Sequence, residues 1–135
     1  MATTPQFVGT ARTSAIKLRA SDGTNAKTLL VAGSNGSLLE GLFVTSNDPT
    51  SRFLSVLLVN PSQAESFLVD SISIPSASPA VPVVMVSLLN PSRWVWLDPN
   101  NVKWVIGHGW EIRCAMTTAV SSSAEVAVIA NFGDF

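Results

Sequence analysis

The chain has little of what most chemistry needs. It has one cysteine, one histidine and no tyrosine among 135 residues, and its charged residues make up only 13%. A lone Cys114 excludes an intrachain disulfide, a cysteine-based zinc site and a redox pair. A lone His108, set between Gly107 and Gly109, leaves a serine or cysteine hydrolase without an oriented base, and no Gly-x-Ser-x-Gly elbow is present. The eight basic and nine acidic residues are scattered singly, giving a net charge of −1 and no clustered basic face for nucleic acid. Long apolar runs are also missing. The longest, around Ala80 to Leu89, includes Pro82 and Ser87 and falls far short of the roughly 20 residues of a membrane helix. The first residues, Met-Ala-Thr-Thr-Pro-Gln, lack the basic-then-apolar pattern of a secretory signal, so export by that route is not expected, and the lone cysteine fits an intracellular site of synthesis.

What the chain does have is apolar residues, 47% of the total. A chain of this size fits one domain spanning residues 1–135, with residues 1–12 as a candidate extended arm. Such a domain cannot hide so much apolar surface within itself, so part of it is expected to lie against other subunits. Near-neutral charge also gives little protection against self-association.

The apolar residues come in short runs between clusters of Gly, Pro, Asn, Asp and Ser, a spacing that predicts about eight to ten strands. The fold class expected is all-β: an antiparallel β-sandwich, jelly-roll-like. Residues 27–32 and 38–46 flank Gly33-Ser34-Asn35-Gly36-Ser37 and read as a hairpin, because Asn-Gly accepts the positive φ of a tight turn. Asn47-Asp48-Pro49-Thr50 is the next turn. In the strand Phe53 to Asn60 both faces are apolar, so one is expected to meet a second layer or another chain. A strand over 66–74 precedes Pro75, Pro79 and Pro82, which make an extended crossover or arm. Strands are expected over 83–89 and 93–97, the latter placing Trp94 and Trp96 on one face. Asp98-Pro99-Asn100-Asn101 is a turn. Trp110 to Thr118 alternates Trp110, Ile112, Cys114 and Met116 toward the core, which makes Cys114 a buried, inert thiol. In the last strand Val126, Val128, Ala130 and Phe132 do the same.

No candidate site for catalysis, a cofactor or a metal survives inspection, and the chain is expected not to be an enzyme. Asp22 to Thr28 ends in Lys-Thr but lacks the glycine and spacing of a phosphate loop. Neither Asn47-Asp48 nor 98–101 has the ligand pattern of a calcium loop. The four tryptophans, Trp94, Trp96, Trp104 and Trp110, fall within 17 positions and suit a core or a subunit interface; a sugar-stacking platform is the further option.

The segment Thr13 to Thr28, the "GSNGS" turn, "LFVTSNDPTSR" and the ending "NFGDF" resemble small structural proteins of tailed bacteriophages. That resemblance implies a β-sandwich or jelly-roll subunit, made in the bacterial cytoplasm and built into the virion. It implies capsid cement or decoration, as a homo-oligomer (dimer or trimer) against the major capsid protein or other virion proteins, with no nucleic-acid or membrane partner. A neck or tail accessory subunit and a carbohydrate-binding module of a tail appendage are the alternatives. The candidate interface residues are Phe7, Pro75, Pro79, Pro82, Trp94, Trp96 and Phe135.

Overall fold

Nine strands account for nearly all the regular structure of the computed structural model, which describes residues 9–135. They are β1 (Thr10–Arg19), β2 (Lys27–Val31), β3 (Ser37–Ser46), β4 (Arg52–Asn60), β5 (Glu65–Ile74), β6 (Val84–Ser87), β7 (Trp104–Ile106), β8 (Glu111–Met116) and β9 (Glu125–Asp134). One sheet runs β1-β9-β3-β6, with β7 also on β3; the other runs β2-β8-β4-β5. All pairings are antiparallel.

The pairings have a simple logic. β4 pairs β5, β3 pairs β6, β2 pairs β8 and β1 pairs β9, so the chain is one long hairpin with its tip between β4 and β5. That hairpin is rolled until β3 meets β9 and β4 meets β8, which closes the two four-strand layers of a jelly roll, with β7 as an addition. Both inner faces are apolar. Leu18, Leu42, Val44, Val126, Val128 and Ala130 from the first sheet meet Leu54, Val56, Ile112, Cys114 and Met116 from the second. In β2 the register shifts between Thr28 and Leu30, so the extra Leu29 and its neighbour Leu30 are both buried.

Two expected elements differ. The turn at Gly33–Gly36 is real, with Gly36 at φ +84° donating its N–H to the Gly33 carbonyl at 3.0 Å. It is not a hairpin, however, because β2 pairs with β8 in one sheet and β3 pairs with β9 in the other. The turn is a corner between layers, fixed by the buried Ser37, whose hydroxyl donates to Asp134 at 2.6 Å and accepts from the Gly33 N–H at 2.9 Å. Residues 93–97 form turns rather than a strand: the N–H groups of Arg93 and Trp94 both donate to the Asn90 carbonyl, at 3.1 and 2.7 Å, and that of Leu97 to Trp94 at 3.0 Å. Trp94 and Trp96 therefore do not share a strand face.

Of the candidate arm, residues 10–12 lie in β1, paired with Asp134, Gly133 and Phe132. The Pro75–Pro82 segment crosses from β5 in one sheet to β6 in the other, pinned midway where the Ala77 N–H donates to the Asp48 carbonyl at 2.8 Å.

Candidate interaction surfaces

Sheet parity decides which side chains face outward. In the β1-β9-β3-β6 sheet the register aligns Ala15 with Ile129, Ile129 with Phe43 and Phe43 with Ser87; the next row is Lys17, Ala127, Thr45 and Met85. At one end Leu38 pairs with Val105, and past the other end comes Val83. Apart from Lys17, the middle of this outer face is apolar or small. Met85, Val105 and Val83 are 67%, 63% and 56% exposed. The opposite outer face mixes Ser55, Ser71, Ser73, Thr28, Arg113 and Glu111 with Phe53, Leu57, Leu68 and Val31, of which Leu68, Phe53 and Val31 are 63%, 52% and 45% exposed. A sheet face meant for water normally carries polar residues at alternate positions; both outer faces here leave large apolar side chains exposed among the polar ones.

A second apolar surface lies at the end of the sandwich where β3 leaves for β4. Pro79 and Pro82 stand exposed and, with Asn47, Pro49, Ala77 and Ser78, line a shallow groove of about 320 Å³. Val81 beside them is 52% exposed. The groove rests on a buried polar knot. Asp48, fully buried, accepts from the Thr50 N–H, Arg52 Nε, the Ser121 N–H and the Ser121 hydroxyl at 2.9, 2.9, 3.0 and 2.7 Å. Burial raises the pKa of its carboxyl, but these donors, led by the Ser121 and Thr50 N–H groups, outweigh it and hold it at about 2.

The tryptophans gather around β7. Trp94 is buried and donates its indole N–H to Asp70 at 2.8 Å. Trp96, 52% exposed, stacks on it at 5.3 Å, and Trp104 meets both edge-on. Asp70 is held ionised first by Arg93, which also donates to the Ser71 carbonyl at 2.8 Å and so clamps this segment onto β5. Trp110 stacks with Phe67 at 6.1 Å and, with Leu58, Trp104 and Gly107, lines a second groove.

The residues singled out in the sequence thus separate. Pro79 and Pro82 come together, Trp94 and Trp96 come together, and Pro75 is exposed in the crossover. Phe135 sits half-buried at the far end of the sheet from the prolines, its N–H on the Gly36 carbonyl at 3.2 Å. Phe7 lies outside the described residues. Phe43, Met85 and Ile129 were not singled out, although apolar residues at the outward positions of β3 and β9 were a readable sign.

Charge contributes little to any of these surfaces. Each of the eight basic side chains is paired with a carboxylate, the longest pair being Lys103–Glu40 at 3.8 Å. Cys114 is buried in the core, which pushes its thiol up to about 12, and His108 is exposed in the turn before β8. Among the described residues no group of three or more His, Cys, Asp or Glu is placed to hold a metal, and no helix is long and apolar enough to cross a membrane.

No protein-family model and no curated protein matches the chain. Among solved structures, one of a virus-like particle of the extra small virus of the giant freshwater prawn Macrobrachium rosenbergii is similar over 100% of this chain and 86% of that chain. The identity is 11% and the TM-score 0.26, a likeness that establishes neither fold nor role.

Proposed function

We propose that the chain is a structural subunit of a virion, specifically a cement or decoration protein on the head of a tailed bacteriophage. In this reading it is not an enzyme. It binds the major capsid protein and contributes stability through distributed contacts, each Å² of apolar area adding about 25 cal/mol before the cost of association. The observation that carries the reading is the exposed apolar surface: among the described residues ten large hydrophobic side chains, Val81, Val83, Met85, Val95 and Trp96 included, stand exposed on a small sandwich with a full core. Val81 and Val83 lie in one stretch with the exposed Pro79 and Pro82, and clustered exposed apolar residues mark interaction sites. The proline crossover, stiff and anchored through Ala77, is the surface assigned to the capsid.

The test is add-back to shells that lack the subunit. The wild-type protein should bind them and raise the temperature at which they release their genome, in a salt-insensitive way. Val81→Glu, exposed and outside the core, should stay folded and lose shell binding. Failure of the wild-type protein to bind shells overturns the cement role; binding only to purified tails, or only to host-surface glycans through Trp96, moves the subunit to the neck or tail, or to a sugar-binding appendage.

A further inference from the structure

We infer that β1 is a pairing edge: two copies of this chain join antiparallel along β1, centred on Thr13, so that one sheet runs through both sandwiches. The pairing goes beyond the structural-subunit reading and does not depend on the cement role.

Hydrogen bonds at one end of β1 fix the direction of its backbone groups. The Lys17 carbonyl accepts from Lys27 Nζ and the Arg19 N–H donates to Asp22, both at 2.8 Å and both on the side away from β9. These directions alternate along a strand, and the register of β1 on β9 runs without a shift from Thr10 to Arg19. The N–H and C=O groups of Ala11, Thr13 and Ala15 therefore point off the sheet as well. All three residues are exposed, and among the described residues nothing bonds these groups.

The other sheet edges are blunted. β5 carries a bulge opposite Val56 and Leu57, and Arg93 caps its Ser71 carbonyl at 2.8 Å. β2 bulges between Thr28 and Leu30, and the Ser14 hydroxyl caps its Leu29 carbonyl. β6 and β7 are four and three residues long. Short, bulged or covered edges resist strand addition, and a long straight one invites it. The cations of β1 do not guard it either. Arg12 is drawn back to Asp134 at 3.1 Å and over the Phe132 ring, and Lys17 to Glu125 at 3.3 Å, all on β9.

The open stretch is its own complement, which selects a second copy as the occupant. With Thr13 opposite Thr13 of the other copy, Ala11 opposes Ala15 and Ala15 opposes Ala11, so all three residues exchange both of their bonds about a two-fold axis. The opposed side chains are small, and Arg12 faces Ser14. Centring the pair on Arg12 instead would set two guanidinium groups directly opposite, which is destabilising. Centring it on Ser14 would set Ala11 against Lys17, whose carbonyl Lys27 already holds. Pairing uses up the edge, so assembly closes at two.

The test is light scattering coupled to size-exclusion chromatography on the full-length protein over a dilution series. The wild-type chain is expected to move toward twice its monomer mass as concentration rises. Thr13→Pro removes an N–H that points off the sheet, so it should keep the β-type circular dichroism of the wild type yet weaken the dimer about 30-fold or more. Ala15→Lys should also stay folded and weaken the dimer, whereas Ser73→Lys, exposed on β5, should leave it unchanged. The register is read by cross-linking, for which the buried Cys114 supplies no background. Thr13→Cys under mild oxidation should link to itself; Ala11→Cys should not, its two copies lying about 14 Å apart along the strands, but should link to Ala15→Cys. A monomer at every concentration, a mass of three chains or more, a dimer that survives both Thr13→Pro and Ala15→Lys, or self-linking of Ala11→Cys as ready as that of Thr13→Cys overturns the inference. Because no shell is present, a dimer that binds no shell keeps the pairing and loses the cement role.

Discussion

Trp94→Ala is expected to cost about 3–5 kcal/mol of folding stability, the range for emptying a buried aromatic site. The side chain is 1% exposed, and it links three things at once: the irregular 88–102 segment, β5 through Asp70, and the rings of Trp96 and Trp104. Removing it opens a cavity and takes one donor from Asp70. Trp94→Phe separates the two effects, because it restores most of the apolar volume without the N–H; its cost should be about 1–3 kcal/mol, that of a group left short of a partner. Urea unfolding followed by far-ultraviolet circular dichroism measures both. A loss below about 1 kcal/mol for the alanine variant would mean that residues 88–102 are not part of the cooperative core.

Asp48→Ala carries a similar expectation, about 3–5 kcal/mol, for a different reason. It leaves Arg52, only 15% exposed, as a cation without its carboxylate, and strips partners from Ser121 and from the Thr50 N–H. The same residue gives a pH signature. Its carboxyl is lowered from 3.8 to about 2 in the folded state, so the stability it confers is fully present above about pH 4 and is lost as the pH falls through 2. At 1.36 kcal/mol per unit this amounts to roughly 2 kcal/mol. Asp48→Asn should therefore start less stable at neutral pH and lose less on acidification than the wild type. Equal acid sensitivity in the two proteins would show that the carboxylate is not held by its donors.

Much of the fold is legible in local pattern. Alternation in 110–118 and 125–132 identifies β8 and β9 and their inward faces, since a half-buried strand writes its burial into every second residue. What local pattern does not carry is the choice of partner. Asn35-Gly36 specifies a chain reversal, and a hairpin and a corner between layers use the same one; β8 and β9, far along the chain, decide between them. The strand β1 escapes notice because Thr-Ala-Arg-Thr-Ser-Ala-Ile-Lys-Leu-Arg alternates weakly, as an edge strand with a small, partly charged outer face does. Arg93-Trp94-Val95-Trp96-Leu97 alternates like a strand, yet the clamp from Asp70, over 20 residues away, holds it in turns.

The interaction surface was legible in amount but not in place. Composition announced more apolar area than a small core absorbs, and the aromatics and prolines drew attention first. One outward apolar cluster instead comes from four strands that are distant in sequence, contributing Ala15, Phe43, Met85 and Ile129 one by one. Only the register brings them into one row and the next.

The most direct test of the account is a cryo-electron microscopy reconstruction of the intact particle, with this chain located by its jelly roll and its tryptophan cluster. The account predicts density repeated over the icosahedral shell, with the proline crossover against the capsid. Density confined to one vertex or running along the tail, or no such subunit in the particle at all, would contradict it.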